Sequence, residues 1–451
     1  MIRSTTSPAP KDWTVLYYLA GNNNIADDMI KKMARLEQVG STEQMDVVVQ
    51  MGQPESGPFP GTTRFHVEKN PNPVRVRPEP VPPIPLKEAP SKRKEPLPQI
   101  YSKPVMNLGP MDMSQPSALQ DFIEWGMKSY PAKHYFVVLM DHGYGFVGTI
   151  DDAVTHRSMS FPELSRTLSN VSEKTGKKLD VVGFDSCLIA QAEIADELAG
   201  TASYMVASEE VEYPLGWPEG NVMGALAKRL EKGSVSARQA ARLAVKETAK
   251  DPAIKTMSAV DLSRLKPLHR ALDRLAEALM KSELPKETLV KIVQETHNYC
   301  TVIPDETLCT DYRDLYDFAR KLLSSPEVSD PAVRRAAFAV TSAVRLAVVA
   351  EAHPNEEAEG SHGLSIYLPT RGLLTNYDKS LTKNPHEHDS EALREGMTDR
   401  ASLPEFRLWG RVYGDGRQKE TNTVVNPKAI YKELKFAQST LWDEFLEKLG
   451  G

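Results

Sequence analysis

Two stretches of the chain deliver side chains that can do chemistry together. Leu179-Asp180-Val181-Val182-Gly183-Phe184-Asp185-Ser186-Cys187 is a short apolar run that passes through a polar turn and ends on a cysteine. His134-Tyr135-Phe136-Val137-Val138-Leu139-Met140 runs in the same way into Asp141-His142-Gly143. Runs of this length, rich in β-branched and aromatic residues, predict buried strands. Residues leaving the carboxyl ends of parallel strands emerge where such sheets bind ligands. A thiol attacks an acyl carbon only as thiolate, and a neighbouring imidazole lowers its pKa and later protonates the leaving amine. A helical pattern reads from Cys187 to Ala199, so the positive end of a helix is expected to favour the thiolate. Gly143 lets the backbone approach a substrate closely and offers an N–H to a developing oxyanion, with the N–H of Cys187 as a second donor. Asp185, two residues before the thiol, carries a carboxylate suited to a guanidinium or an ammonium.

The inert reading weighs against this. A cysteine after a buried strand is more often a packed thiol, and a lone histidine more often a surface or capping residue. No metal is expected: no Cys-x-x-Cys or His-x-x-x-His occurs, and Cys300 and Cys309, with only His297 nearby, read as structural. His362-Gly363 repeats the His-Gly pairing but precedes its strand, which makes it a poor catalytic candidate.

The elements that must position the pair follow from the rest of the chain. Trp13 to Ala20 is a strand ending at Gly21-Asn22-Asn23-Asn24, a helix follows from Ala26 to Val39, and Met45 to Met51 closes a β-α-β unit. Such alternation predicts a parallel sheet covered on both faces. Arg64 to Val67 is a further strand. Between Pro71 and Pro104 prolines recur among basic residues, a composition for an extended surface loop. Helices are expected at 117–128 and 161–173, and a strand at Ser203–Ser208. Segments 236–250, 264–281, 286–299, 310–323, 331–350 and 436–449 carry helical periodicity, interrupted by strands at 257–261 and 363–368 that can extend the first-half sheet. The organisation expected is a tail at 1–12, a catalytic core at 13–225 with the 71–104 insertion, and a helix-rich region at 226–451.

A chain of 451 residues with net charge −6 and pI near 6.0 gives no support for nucleic-acid binding. No apolar run approaches a membrane span. The first residues lack the apolar core of a signal peptide, which predicts a cytoplasmic protein, with a secreted chain numbered from its mature start as the alternative. Three cysteines, an odd count, fit reduced thiols.

At Val137–Gly145 (VVLMDHGYG) and Leu179–Gln191 (LDVVGFDSCLIAQ) the sequence resembles the clostripain-like cysteine peptidases of the C11 family, in the clan of caspases, gingipains and legumain. WTVLYYLAGNNN, ALQDFIEWGMKSYPAKHY, MVASEEVEYPLGW, MSAVDLSRL, YRDLYDFARKL, HGLSIYLP and FAQSTLWDEFL extend the resemblance over most of the chain. The resemblance implies a caspase-like three-layer α/β sandwich, a mainly parallel sheet flanked by helices, with a helix-rich C-terminal part. It implies a dyad of His142 as general acid/base and Cys187 as nucleophile, and Asp185 in the S1 pocket, hence cleavage of peptides or proteins after Arg or Lys. Glu219 is expected to help form the S1 wall, with Glu209, Glu210 and Glu212 competing for that place. Self-cleavage after a basic residue between the two motifs occurs in the family, and Arg157 is the candidate here, ahead of Lys174, Lys177 and Lys178. No calcium-loop pattern occurs, so no cofactor is expected. The alternative is a caspase-fold regulatory or interaction protein whose dyad is idle.

Overall fold

The computed structural model describes residues 10–73, 76, 96–155, 157–212, 215–299, 311–354, 356–369 and 427–450. Cys300, Cys309 and most of the Pro-rich insertion lie outside them. Thirteen strands are formed: β1 (Lys11–Ala20), β2 (Met45–Gln53), β3 (Gly61–His66), β4 (Pro104–Gly109), β5 (Ala132–Met140), β6 (Thr149–Asp152), β7 (Arg157–Met159), β8 (Leu179–Asp185), β9 (Ala202–Ala207), β10 (Met257–Asp261), β11 (Tyr312–Asp314), β12 (Val348–Ala352) and β13 (Ser365–Tyr367) among the described residues. Nine of them build one sheet in the order β12-β10-β9-β8-β5-β1-β2-β3-β4. Its middle, β2-β1-β5-β8-β9, is parallel throughout, and antiparallel strands close both edges.

Alternation along β1 shows why both faces are covered. Trp13, Val15, Tyr17 and Leu19 point to one face, where they meet α1 (Ala26–Leu36) and further helices. Leu16, Tyr18 and Ala20 point to the other and pack on α2 (Pro116–Ser129) and α3 (Phe161–Thr175). The period-2 side-chain rule thus splits one strand between two cores. The helices α4 (Ala192–Leu198), α5 (Glu219–Leu230), α6 (Ala237–Thr248), α7 (Leu265–Lys281), α8 (Lys286–Glu295), α9 (Leu315–Ser324) and α10 (Pro331–Ala347) complete the two layers, with three C-terminal helices from Pro427 onward. This is the expected α/β sandwich with a mainly parallel sheet.

The second half is built into the first. β10 and β12 extend the main sheet, as expected for 257–261, but the 363–368 strand does not join it. β13 pairs instead with β11 in a separate two-stranded ribbon. That ribbon supports the loop after His142: the Tyr312 hydroxyl donates to the Tyr144 carbonyl at 3.0 Å, and Phe146 packs against Tyr312, Tyr367 and Tyr431.

Two local expectations fail. Helix α4 begins at Ala192 behind its N-cap Gln191, not at Cys187. Leu188 adopts φ +63°, a left-handed conformation that side chains rarely take, and its N–H donates to Glu210 O at 3.2 Å while that of Ala190 donates to Ser208 O at 2.8 Å. The chain is committed to these loop contacts before a helix can start, so no helix dipole reaches the thiol. The second miss is α5. The stretch Tyr213 to Asn221 reads in sequence as a loop, yet Pro218 caps a half-buried helix whose first residue is Glu219.

Candidate active site

Register sets the site. β5 and β8 run parallel with Met140 opposite Asp185. His142 and Cys187 therefore stand the same two residues beyond a paired position on neighbouring strands, which lie about 4.8 Å apart in such a sheet. On its other side β5 pairs with β1, Met140 opposite Leu19, so the Gly21–Asn24 turn emerges at the same edge. Gly143 closes the gap between the two motifs. A Cβ built on it would lie 2.3 Å from Cys187 O and 3.1 Å from Cys187 N, so only glycine permits this approach.

The three asparagines after β1 hold the histidine loop. Asn22 donates to Asp152 at 2.7 Å, and Asn23 donates to Asp141 at 2.8 Å. Asn24 Oδ1 stands 2.8 Å from His142 Nε2. Asp141 also accepts from the N–H groups of His142 and Asp151, both at 2.7 Å, and so fastens the loop at three points. None of these asparagines was singled out as functional from sequence. The signal was present, since an Asn-Asn-Asn turn stands at the carboxyl end of a predicted parallel strand.

His142 is buried, and loss of hydration lowers its pKa to about 4, so the imidazole is neutral near pH 7. Cys187 is 6% exposed. Its Sγ accepts from the Glu212 N–H at 3.3 Å and lies 3.5 Å from Glu212 O. The thiol thus touches the backbone of the residue that follows the β9 loop.

The acidic residues expected near the thiol are buried among cations and backbone donors. Asp185 is buried, with both oxygens engaged: Oδ2 pairs with Lys32 Nζ, and Oδ1 accepts from Trp217 N at 3.1 Å. Gly216, at φ +36°, lies so close that a Cβ there would sit 1.8 Å from Asp185 Oδ1. Glu219 has no exposure and contacts Lys32 Nζ at 2.6 Å and Arg35 at 3.6 Å. Lys32 also donates to Leu215 O at 3.0 Å, and Arg35 to Leu215 O and Trp217 O at 2.9 and 3.2 Å. Burial opposes the charge on Lys32, but Asp185 and then Glu219 outweigh it and raise its pKa. Asp185 and Glu219 are therefore both paired with an internal cation, while Glu219 Oε2 makes no hydrogen bond among the described residues. Glu212 is buried against Asp185 and the Trp217 indole, and burial, then the Asp185 carboxylate, push its pKa well above the ordinary carboxylate range. Of the other competitors, Glu209 accepts from Gly363 N at 2.9 Å, and Glu210 from Val211 N at 2.8 Å.

Arg157 opens β7 opposite Asp152 of β6. Its guanidinium pairs with Glu163 and donates to Ser114 O.

Comparison with known proteins fits this geometry. A family model described as the clostripain family matches residues 104–448. Clostripain from Hathewaya histolytica is 25% identical over 375 residues, 70% of this chain and 68% of that protein. The X-ray structure of an inactive zymogen C11 protease from Parabacteroides distasonis aligns with a TM-score of 0.59 at 16% identity, covering 96% of this chain and 99% of its own. A secreted C11 cysteine protease from Bacteroides thetaiotaomicron aligns at 0.57 and 15% identity, covering 80% and 94%. These structural likenesses concern the fold. The residues matched by the family model begin after α1, so Lys32 and the asparagine turn lie ahead of them.

Burial of neutral His142 links stability to pH. Its pKa is 6.5 unfolded and about 4 folded, so between these values the unfolded chain binds more protons. The contribution is present in full above pH 6.5 and is lost as pH falls towards 4, up to about 3 kcal/mol in all. Urea unfolding at pH 7.5 and 4.5 should show wild type losing more stability on acidification than His142→Asn, by roughly that amount. Equal losses would contradict a buried neutral imidazole.

Proposed function

The chain belongs to the clostripain family of cysteine peptidases, and we propose that it hydrolyses peptide bonds after basic residues through a His142–Cys187 dyad. The observation that carries the reading is the shared register of β5 and β8, which brings an imidazole loop against a thiol loop beside buried carboxylates. With the proton on Nε2 donated to Asn24, Nδ1 of His142 keeps the lone pair that takes the thiol proton. The thiolate attacks the acyl carbon, and the N–H groups of Gly143 and Cys187 receive the oxyanion. The imidazolium then gives its proton to the departing amine. Water, deprotonated by His142, releases the acid from the thioester. The Bacteroides thetaiotaomicron protease has also been solved with an irreversible peptide inhibitor, at a TM-score of 0.54 and 15% identity, which supports a peptide as ligand of this site.

Self-cleavage after Arg157 belongs to the same reading. The thiol is closed off by the Glu212 backbone, and a relative of the same fold is an inactive zymogen. The β6–β7 hairpin is tied to the asparagine turn through Ala153 N to Asn22 O at 3.0 Å, so cutting it would loosen the loop beside His142.

Purified wild type should hydrolyse an Arg-containing fluorogenic peptide, and Cys187→Ala should abolish turnover. Wild type should run as two fragments and Cys187→Ala as one chain; identical banding removes self-cleavage, and absent turnover after nicking at the hairpin removes the peptidase reading. Asn24→Ala should lower kcat by up to about 100-fold with KM unchanged, since it frees the ring that must face the thiol, and Asn24→Asp should recover most of it. A rise in KM alone would assign Asn24 to substrate binding.

A further inference from the structure

Thr256 is buried in the segment between α6 and β10. β10 pairs antiparallel with β9, and the last rung of that ladder sets Ser258 opposite Ala207. Continued by two residues, the same register would set Thr256 opposite Glu209. The backbone ladder stops short of this rung, and the Thr256 side chain takes its place. Thr256 Oγ1 accepts from the N–H groups of Glu209 at 3.1 Å and Glu210 at 3.0 Å, and stands 2.8 Å from Ser208 Oγ. Ser208 Oγ also accepts from the Glu210 N–H at 3.1 Å and donates to Glu210 O at 2.9 Å. With the Ser208 proton committed to that carbonyl, Thr256 is the donor between the two hydroxyls. Each oxygen then accepts two hydrogen bonds and donates one, which is the full capacity of a hydroxyl. A buried polar network satisfied in this way fixes one geometry for the turn it joins.

That turn receives the loop of the thiol. Ser208 O accepts from Ala190 N at 2.8 Å, and Glu210 O accepts from Leu188 N at 3.2 Å. Leu188, the residue after the thiol, holds φ +63°, and a leucine keeps such a conformation only where its surroundings over-determine it. Two residues beyond Glu210, the Glu212 N–H donates to Cys187 Sγ at 3.3 Å, a bond that favours the thiolate. Residues 208–212 thus meet residues 187–190 at three points, and Thr256 fixes the end where this contact begins. We propose that Thr256 is a positioning residue for the nucleophile: its hydroxyl sets the 208–210 turn, and through that turn the placement of the Cys187 thiol and N–H. The inference rests on the reading of Cys187 as nucleophile given above. Thr256 acts through Ser208, Glu209 and Glu210 and not on the reacting atoms.

The test uses the full-length chain and two readouts, hydrolysis of the Arg-containing fluorogenic peptide and alkylation of Cys187 by iodoacetamide across pH. Alkylation is followed by the mass of the Cys187 peptide, which separates it from Cys300 and Cys309. Thr256→Val keeps the shape of the side chain but removes the acceptor of the Glu209 N–H and the donor to Ser208; Thr256→Ser keeps the hydroxyl. Thr256→Val should lower kcat by about 30-fold with KM within about twofold. It should also move the alkylation profile to higher pH, so that the rate at pH 7 falls about tenfold. Thr256→Ser should stay within about threefold of wild type on both. A residue needed only for folding would change the yield of folded protein and not the pH at which the thiol reacts. An unmoved profile or an unchanged kcat in folded Thr256→Val overturns the proposal, and so does an equal loss in Thr256→Ser. Should Thr256→Val fail to fold, Ser208→Ala removes the other hydroxyl of the pair and is judged by the same two readouts. Turnover that Cys187→Ala abolishes but Thr256 does not affect sinks this inference and leaves the peptidase reading. A chain that hydrolyses nothing, yet whose alkylation profile moves with Thr256→Val and not with Thr256→Ser, sinks that reading and leaves the role of Thr256 at the thiol loop standing.

Discussion

The parallel pairing of β5 with β8 is the constraint on which the site depends. With Met140 opposite Asp185, the two strands release His142 and Cys187 at the same height. A slip of one residue would turn every side chain of β8 to the opposite face and exchange the residues that meet the two cores. Val181 packs in one core and Val182 in the other. The register is therefore held by burial along the strands, and the reactive loops inherit it.

Placing polar chemistry at the end of a buried sheet requires that each polar group find a partner. The histidine loop solves this with amides: Asn22, Asn23 and Asn24 answer Asp152, Asp141 and His142, and the Asp141 carboxylate gathers three donors. The cysteine loop solves it with charge, through Lys32 and Arg35. Removing one member of a buried ion pair costs about 3–5 kcal/mol, whereas replacing the whole pair with apolar groups is often neutral. The buried Lys32, paired with Asp185 and Glu219, is thus weak evidence for added stability.

The C-terminal half takes part in the same construction. β10 and β12 widen the sheet, and the β11–β13 ribbon with Tyr431 packs on Phe146, four residues beyond His142. The ring cluster gives the histidine loop a rigid back wall made from segments distant in sequence. Leu188, in a left-handed conformation next to the nucleophile, shows local geometry yielding to such packing.

Much of this was legible in the sequence because local patterns carried it. Strand-length apolar runs ending in Asp-His-Gly and Asp-Ser-Cys identified the two reactive loops, and β-α alternation identified a parallel sheet covered on both faces. Other features depended on neighbours that no local pattern names. The helix expected at Cys187 is displaced to Ala192 by the hydrogen bonds of Ala190 to Ser208 and of Leu188 to Glu210, 18 and 22 residues further along the chain. Asp185 and Glu219 carry the right chemistry for a basic side chain, yet Lys32, more than 150 residues earlier, reaches them first. Sequence fixes which groups can ionise; which of them remains unpaired is a property of the packed chain, because pairing depends on distance in space.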